Sequence, residues 1–400
     1  MRAHEDGGNG GGPTVVIVGA AGFTNLGDDA ILAAMLDELR DAIPGVRLVV
    51  AGGPAAHAAD PPVEWVHVRD IRAVDAAVAR ADLVIVGGGG FIYDYDAIIS
   101  PYDFFRGDIT FMFPYYRAAL AARTRDVPVY FYAIGVDSLV TPAGRALTRD
   151  VLSQASAITV RDPISLLELQ RAGVRAPHAE VTADPAVRVS PEPVAWRDRP
   201  KGRVVAFVTK PWLRWGGTWT DSSAQLYDTY VGWLASAADY VVETWDATPV
   251  FLPGQRYNDD DLETAATVVE RMSAQGRARL LSEVVDEAQY RAALAGADAV
   301  VSSRLHPLIL AAAASVPIVG LAITEKVRAF LATLEVAEQL VSPWAASASQ
   351  LCRALDCALD DPEPIRARLR SGLVRQRRAA ARNPEIARDL LSVPAAGARG

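Results

Sequence analysis

Short apolar runs rich in β-branched residues alternate with amphipathic helical segments along almost the whole chain. The first run, Thr14 to Ala20, is almost continuously apolar, as is typical of a strand buried on both faces of a parallel sheet. A glycine-containing loop follows, and apolar residues at helical spacing then extend from Ile31 to Leu39. Because this unit of strand, loop and helix recurs in both halves, the sequence predicts an α/β protein with doubly wound, Rossmann-like parallel sheets.

The length of the chain and one break in the alternation predict two domains. A total of 400 residues is more than one ordinary core contains. A segment with three prolines and several charges, residues 191–203, indicates an interdomain linker. The expected divisions are a disordered tail (1–13), two domains that face a cleft (14–190 and 204–375), and a C-terminal helix with a frayed tail (376–400).

The overall charge argues against several kinds of partner. The formal net charge is −8, so bulk electrostatics favour neither nucleic acid nor a membrane surface. The apolar runs fall short of the roughly 20 residues that span a bilayer, and the polar, glycine-rich first residues do not resemble a signal peptide. We therefore expect a cytoplasmic protein, which could still work beside a membrane on a lipid-linked substrate.

The cysteines and the arginine-rich tail add two smaller expectations. Cys352 and Cys357 lie five apart in one helical stretch, a spacing that suits neither a disulfide nor zinc, so we expect reduced thiols and no obligatory metal. The arginine-rich stretch 362–382 is helical, and is either a solvated face or a helix that folds back on the first domain.

The most informative polar cluster follows the apolar run Ala299 to Val301. It contains Arg304 and His306 and precedes a helix expected from Leu308 to Ala314. A helix N-terminus carries unpaired amides and positive partial charge, so basic side chains placed there favour an anion site. Alternatively, the histidine is a satisfied structural residue and the arginine a surface ion-pair partner. The position at the carboxyl end of a predicted strand favours function.

The loop after the first strand does not fit a dinucleotide site. Its glycines, Gly22 and Gly27, lack the G-x-G-x-x-G spacing, and an acidic pair at the helix start would repel a pyrophosphate. A nicotinamide cofactor is therefore disfavoured. Asn25, Asp28 and Asp29 are suited to sugar hydroxyl groups, whose protons their side-chain oxygens accept. Capping of the helix by Asp28 or Asp29 is an equally good interpretation.

Other strand ends carry further candidates. Four glycines, Gly87 to Gly90, let a ligand approach the backbone closely, and the aromatic and acidic segment behind them, which includes Asp94, suits either a sugar site or a hydrophobic lid. Lys210 ends the first strand of the second half and precedes a tryptophan-rich loop that either stacks on substrate or packs on the neighbouring domain. Glu325 and Lys326 begin a later helix and could line the same cleft.

Together these pieces resemble the polysaccharide pyruvyl transferase family. The motifs that carry the resemblance occur in family order over residues 14 to about 335. They are GFTNLGDDAIL (22–32), VGGGGF (86–91), AIGVD (133–137), VRDPIS (160–165), TADPA (182–186), SSRLHPLILAAAASVPIVGL (302–321) and EKV (325–327).

The resemblance implies two domains arranged like the glycosyltransferase-B fold, with an acceptor domain first and a donor domain second. It implies transfer of an enolpyruvyl unit from phosphoenolpyruvate onto two hydroxyls of a sugar in a polysaccharide, a lipid-linked unit or a small glycosylated acceptor. The products would be a ketal and free phosphate. Phosphoenolpyruvate is then a donor substrate, and no cofactor is expected.

The resemblance also implies roles for individual residues. Arg304 would hold the donor carboxylate or phosphate while His306 transfers a proton. Lys210 stands where similar proteins often carry an arginine, and a lysine lacks the planar fork. The predicted catalytic residues are His306, Asp28 and Asp94, and the predicted substrate-binding residues are Arg304, Lys210, Ser303, Leu305, Lys326, Asn25, Asp29 and Gly89.

Two other functions are compatible with the same sequence. A nucleotide-sugar glycosyltransferase could use the same scaffold, because a fold does not determine the donor. A non-catalytic sugar-binding or assembly subunit would bind sugar and release no phosphate.

Overall fold

The computed structural model describes most of the chain, and the structural statements below concern those residues alone. Several predicted features lie outside them, namely most of the N-terminal tail, part of the linker, the aromatic segment beyond Asp94 and the tryptophan-rich loop. The described ranges are 12–54, 63–94, 112–175, 179–189, 195–196, 198–211, 221–255, 261–282, 286–342 and 348–392.

The first half of the chain forms a parallel sheet with the order β3-β2-β1-β4-β5-β6-β7. Val16 in the middle strand pairs with Val49 on one side and Val84 on the other, and all three side chains are buried. The described strands are β1 (Thr14–Val18), β2 (Arg47–Gly52), β3 (Glu64–His67), β4 (Leu83–Ile92), β5 (Val129–Val136), β6 (Ala157–Val160) and β7 (Ala179–Val181).

Helices cover both faces of this sheet, as its buried central strands β1, β4 and β5 require. The strand order reverses between β1 and β4, and ligands of such sheets bind outside the carboxyl ends of the strands at that point. The helices are α1 (Leu26–Ala42), α2 (Ile71–Val78), α3 (Phe113–Arg123), α4 (Pro142–Leu152) and α5 (Pro163–Arg171), followed by a 3-10 helix (Pro185–Arg188).

The second half repeats the design with the parallel order β10-β9-β8-β11-β12-β13, which reverses between β8 and β11. Its strands are β8 (Val204–Val208), β9 (Thr248–Phe251), β10 (Arg279–Leu280), β11 (Ala299–Ser302), β12 (Ile318–Leu321) and β13 (Leu340–Val341). Its helices are α6 (Asp221–Trp245), α7 (Asp261–Arg271), α8 (Glu287–Ala295), α9 (Leu305–Ala313), α10 (Glu325–Thr333) and α11 (Ala348–Leu359), and the chain ends in α12 (Glu363–Ala380) and α13 (Arg382–Ser392). The predicted pair of doubly wound domains is therefore confirmed.

The last helix returns to the first domain. Asn383 at the start of α13 is fully buried, and its side-chain oxygen accepts a hydrogen bond of 2.8 Å from the hydroxyl of Thr182 beside β7. Its amide donates to the carbonyl of Ala183 at 3.4 Å. Of the two placements open for the arginine-rich C-terminal region, the structure therefore shows helices that fold back on the first domain.

The two domains are also joined where α1 begins. The backbone amide of Leu26 donates to the carbonyl of Gly254 in the loop after β9, at 3.1 Å, and Asn25 forms an isolated bridge with Gln255. Near the C-terminus, Arg377 of α12 donates to the carbonyl of Val187 at 2.9 Å. These bonds bring the carboxyl ends of both sheets to one cleft.

Candidate active site between the two domains

The interdomain cleft holds a cavity of about 900 Å³, part of it open to solvent. Because strand ends of both sheets border it, the cavity lies where doubly wound folds bind ligands. Its lining comes from both domains. The residues are Asn25, Gly27, Asp28, Gly90, Tyr93 and Arg161 from the first domain and Lys210, Gly254, Gln255, Tyr290, Ser303, Arg304, Leu305, His306, Pro307, Thr324 and Lys326 from the second.

The helix after β11 begins at Leu305, three residues earlier than predicted from the sequence. Arg304 is its N-cap residue, with an extended backbone, and the hydroxyl of Ser302 accepts a hydrogen bond from the Arg304 amide at 2.9 Å. Pro307 fits in the first turn because amides there have no partner within the helix. Arg304 and His306 are therefore held by an ordered helix start.

His306 faces the first domain across the cleft. Its Nε2 lies 3.7 Å from Oδ2 of Asp184, and its ring lies against the backbone of Gly27, where an added Cβ would come within 2.1 Å of Nδ1. The side chain keeps 14% of its surface exposed and lines the cavity. The imidazole is thus held by the first domain although the second domain carries it.

Arg304 lines the cavity, but its fork is already engaged. Nε and Nη2 donate to the carboxylate of Asp261 at 2.6 to 3.0 Å, and Nη1 donates to Gln255 at 3.2 Å. Asp261 is fully buried. A buried carboxylate therefore holds the guanidinium of Arg304 and fixes its direction, and the role of Arg304 in holding the donor stays a prediction.

Arg161 is the most important site residue that the sequence reasoning missed. It follows β6, its side chain is only 5% exposed, and its guanidinium lies so close to Gly90 and Gly135 that a Cβ at either glycine would clash with it. Nη1 donates to Asp184 at 3.0 Å, while Nε has no hydrogen-bond partner among the described residues. The sequence could have indicated Arg161, because it directly follows a predicted strand and the neighbouring strands carry glycines, Gly90 and Gly135, near their carboxyl ends.

Two buried aspartates near the imidazole of His306 have pKa values shifted in opposite directions. Burial raises the pKa of Asp28 to about 6, because the opposing effect of His306 is weaker than the loss of hydration. Burial would also raise the pKa of Asp184, but His306 and Arg161 outweigh it and hold that pKa at about 2. The site therefore contains one permanently ionised carboxylate and one that can exchange a proton near neutral pH.

The other predicted cations and Ser303 also reach the cavity. The hydroxyl of Ser303 accepts from the backbone amide of Lys210 at 2.9 Å and from the hydroxyl of Tyr230 at 3.1 Å, which ties the ends of β8 and β11 together. Nζ of Lys326 lies 3.8 Å from Asp137 of the first domain. Burial lowers the pKa of Lys326 below its usual range.

Two hydroxyl groups of the lining lack partners. The hydroxyls of Tyr290 and Thr324 are buried and make no hydrogen bond to the described residues. A buried hydroxyl without a partner costs free energy, so such groups at a cavity wall are typical of a site built to bind a polar ligand. Neither residue was singled out in the sequence.

Three predicted site residues lie outside the cavity lining. Asp29 accepts from the amide of Gly22 at 2.8 Å, and Asp94 accepts from the amide of Thr141 at 2.8 Å and from its hydroxyl. Both carboxylates therefore hold loops in place, and neither lines the cavity. Gly89, with φ of +128°, lies beneath the carboxylate of Asp28, and Gly90 lines the cavity in its place.

The remaining expectations for this loop also need correction. The cap of α1 is Asn25, whose side chain accepts from the amide of Gly27 at 3.2 Å, and neither aspartate serves as cap. Among the aromatics expected to bind sugar, Tyr115 and Tyr116 are buried in the core, while Tyr93 lines the cavity. Within the described part of the chain, no helix is both long and apolar enough to cross a membrane.

The fold has many solved relatives. The chain is similar to a putative UDP-N-acetylglucosamine 2-epimerase from Listeria monocytogenes, with a TM-score of 0.59 and 14% identity over 93% of this chain and 94% of that one. It is similar to HepE from Anabaena, solved with UDP and glucose, with a TM-score of 0.55 and 13% identity over 95% of this chain and 100% of that one. It is also similar to sucrose-phosphate synthase from Thermosynechococcus elongatus, with a TM-score of 0.57 and 13% identity over 95% of this chain and 99% of that one. At such identities these likenesses establish a glycosyltransferase-B-like fold alone.

Sequence comparison identifies the family. No curated protein matches the chain. The profile of the family described as "Polysaccharide pyruvyl transferase" matches residues 25–325, which is most of the chain and includes every cleft-lining residue except Lys326. This chain therefore belongs to the polysaccharide pyruvyl transferase family.

Proposed function

We propose that this transferase moves the enolpyruvyl unit of phosphoenolpyruvate onto two hydroxyls of a sugar. The observation that carries the proposal is the composition of the interdomain cavity, where one imidazole stands among four basic side chains from both domains. They are Arg161, Lys210, Arg304 and Lys326. A three-carbon donor with a carboxylate and a phosphate needs such a concentration of positive charge, and its enol needs an acid.

The cations have different roles in this proposal. Arg304 and Arg161 are already paired with buried aspartates, so they supply fixed, oriented positive charge. Lys210 and Lys326 have flexible ammonium groups that can follow the phosphate as it leaves. The hydroxyls of Tyr290 and Thr324 donate to the remaining donor oxygens.

The chemistry follows from protonation of the enol. His306 gives a proton to the terminal carbon, which becomes a methyl group and leaves an oxocarbenium-like centre on the neighbouring carbon. One acceptor hydroxyl attacks that centre and loses its proton. The bond from this carbon to the phosphate oxygen then breaks with its electron pair, and the second hydroxyl attacks the same carbon. The two hydroxyl protons balance the new methyl hydrogen and the proton on the departing phosphate.

Asp28 is the proposed base for the acceptor hydroxyls. Its carboxyl lies in the cavity wall of the first domain, and burial raises its pKa to about 6, so at neutral pH it is largely ionised and can still take a proton. This assignment places the acceptor against the first domain and the donor against the second. The acceptor would be a sugar of a polysaccharide, a lipid-linked unit or a glycosylated metabolite, met in the cytoplasm or at its membrane face.

Thermal stabilisation by candidate donors tests the proposal. A ligand that binds the folded state raises the melting temperature as its concentration exceeds its dissociation constant. Phosphoenolpyruvate should stabilise the protein, and phosphate should be released when sugar acceptors are added. Stabilisation by nucleotide sugars alone would indicate a glycosyltransferase. Stabilisation by sugars with no phosphate released from any acceptor would indicate a binding subunit.

A further inference from the structure

We propose that Asp184, held in place by Arg161, is the positioning residue that orients and electrostatically supports the imidazole of His306 across the domain interface. This inference rests on the proposed function for what the imidazole does, but the geometry that carries it does not depend on the substrate. It assigns a purpose to Asp184 of the TADPA motif, which neither the donor site nor the acceptor base had used, and a second purpose to Arg161 of the VRDPIS motif.

The carboxylate of Asp184 has no freedom to rotate. Its Oδ1 accepts from the backbone amide of Ala186 at 3.0 Å, and its Oδ2 accepts from Nη1 of Arg161 at 3.0 Å. The side chain is 6% exposed, so water does not compete for these bonds. Because both oxygens of this buried carboxylate accept hydrogen bonds, its position is fixed relative to any group that faces it.

Arg161 is equally well fixed. A Cβ at Gly90 would lie 2.8 Å from its Nη2, and one at Gly135 would lie 2.6 Å from its guanidinium carbon. The guanidinium thus occupies a slot between the ends of two strands that side chains would fill. Only glycine at those two positions lets Arg161 reach Asp184.

The imidazole of His306 is confined from two sides by the first domain. The backbone of Gly27 packs against its ring, and Oδ2 of Asp184 lies 3.7 Å from Nε2. At that separation the contact is electrostatic and is too long for a hydrogen bond. Nε2 has no hydrogen-bond partner among the described residues, so it is left to donate to a ligand while the carboxylate stabilises positive charge on the ring.

The other charged groups near the imidazole of His306 do not stabilise positive charge on the ring in the way that Asp184 does. Burial raises the pKa of Asp28 to about 6, so this carboxyl takes up a proton as the pH falls toward 6, whereas Asp184 stays ionised there. Arg161 is positive and would by itself oppose a second positive charge, so its contribution is to anchor Asp184. The pKa of Asp184, held at about 2 despite burial, keeps that carboxylate ionised throughout the working range.

The test replaces Asp184 with asparagine and uses Asp162 as a matched control. Both carboxylates lie beside Arg161, at 3.0 and 3.6 Å, and both cap a helix start, a role that asparagine performs equally well. Only Asp184 faces His306. With phosphoenolpyruvate and an acceptor, Asp184→Asn should lower kcat about 10- to 100-fold, part of the 10² to 10⁴ that acid–base catalysis supplies, and leave KM for the donor within about threefold. Asp162→Asn should change neither.

A measurement without substrate separates this inference from the proposed function. In ¹⁵N-histidine-labelled protein, the side-chain nitrogen signals of His306, assigned by their loss in His306→Gln, should shift in Asp184→Asn and stay in place in Asp162→Asn. If the wild type never releases phosphate from phosphoenolpyruvate, the proposed function fails while this test still applies. Should Asp184→Asn not fold, Arg161→Lys, which loses the fork that holds Asp184, should produce a smaller shift of the same signals. Signals and kcat that stay unchanged in these variants would overturn the inference.

Discussion

Arg304 and His306 lie two residues apart at one helix start, and each faces a buried aspartate, but the two aspartates belong to different domains. Asp261, in the same domain as Arg304, accepts two bonds from Nε and one from Nη2, at 2.6 to 3.0 Å. Asp184, in the opposite domain, stands 3.7 Å from His306. The guanidinium proposed to bind the donor anion is therefore held within one domain, while the imidazole proposed to donate the proton meets its aspartate only when the two domains come together.

The glycines that pack against Arg304 and His306 also come from different domains. Gly254, in the same domain, packs against the Arg304 side chain, and a Cβ there would lie 2.9 Å from its Cδ. Gly27, in the opposite domain, packs against the His306 ring. A glycine in a motif of the first domain thus packs against the histidine carried by a motif of the second domain.

The largest expected effect is the loss of rate in His306→Ala. Ketal formation should fall by about 10² to 10⁴, since that is the usual contribution of a proton donor, while binding of phosphoenolpyruvate largely survives. Stability should change little, because Asp184 keeps Arg161 as a partner. Phosphate release and donor titration measure the two effects. His67→Ala, which removes a histidine on β3 away from the cavity, is the control and should retain full rate.

Arg304→Ala should cost stability as well as donor binding. Asp261 is fully buried, and removal of its partner would leave an unpaired buried charge, a change that typically costs about 3 to 5 kcal/mol in the free energy of unfolding. Urea unfolding measures this cost. Further replacement of Asp261 with asparagine, which removes the charge but keeps an oxygen for the amides of Gly254 and Gln255, should restore part of the stability without restoring donor binding. If the Arg304→Ala protein were as stable as the wild type, the ion pair between Arg304 and Asp261 would not contribute to stability as we infer.

Asp28→Asn should increase stability at neutral pH. The carboxyl ionises near pH 4 in an unfolded chain and at about 6 in the folded protein, so the folded state binds its proton more tightly and loses stability as pH rises between those values. Asparagine removes this loss, and the variant should exceed the wild type by up to roughly 3 kcal/mol at pH 7 and by little at pH 4. Thermal unfolding across this range measures the difference.

The control for Asp28→Asn lies on the same helix. Asp37 has a side chain that is 74% exposed, so Asp37→Asn should leave the pH dependence of stability unchanged. If Asp28→Asn matched that control at every pH, the two aspartates that face His306 would not differ in ionisation as we infer.

Gly27→Ala should produce the smallest of these effects. Alanine is the better helix former by about 1 kcal/mol, but its Cβ would lie 2.1 Å from Nδ1 of His306, so the ring must move. We expect kcat to fall about 10-fold, since small displacements of catalytic groups cost one to two orders of magnitude. Gly232→Ala in α6, where a Cβ meets nothing within 4 Å, should gain stability and keep the rate. Equal kcat values in Gly27→Ala and Gly232→Ala would show that the contact of Gly27 with the His306 ring does not affect the reaction.

Local pattern was enough to predict the fold. The apolar runs that became β1 and β11 are buried, and the glycine loop after β1 and the polar turn after β11 lie where the sequence indicated them, whereas Gly87 to Gly90 lie within β4 and not after it. Hydrophobic periodicity reports on burial within a few residues, so strands, helices and their alternation can be derived from sequence alone. The same reasoning brought Arg304 and His306 to a strand end and hence to the cleft.

Contacts between distant residues were beyond that reasoning. Asp261 takes up the fork of Arg304 from 43 residues away, and Asp94 is used by a loop 47 residues later. Arg161 was overlooked because its partners, two strand-end glycines and Asp184, meet only after the sheet has formed. A carboxylate has the same letter in the sequence whether it binds substrate, caps a helix or holds an arginine.

The sequence by itself determined the two doubly wound domains, the family and the presence of Arg304 and His306 at one strand end. Tertiary structure alone decided which acid faces which base: Asp261 binds the guanidinium of Arg304, and Asp184 of the other domain lies 3.7 Å from His306. The physical reason is the distance along the chain over which each interaction acts. Backbone preference and hydrophobic period act over a few residues, whereas burial and charge pairing depend on which groups the folded sheets bring within about 4 Å of one another.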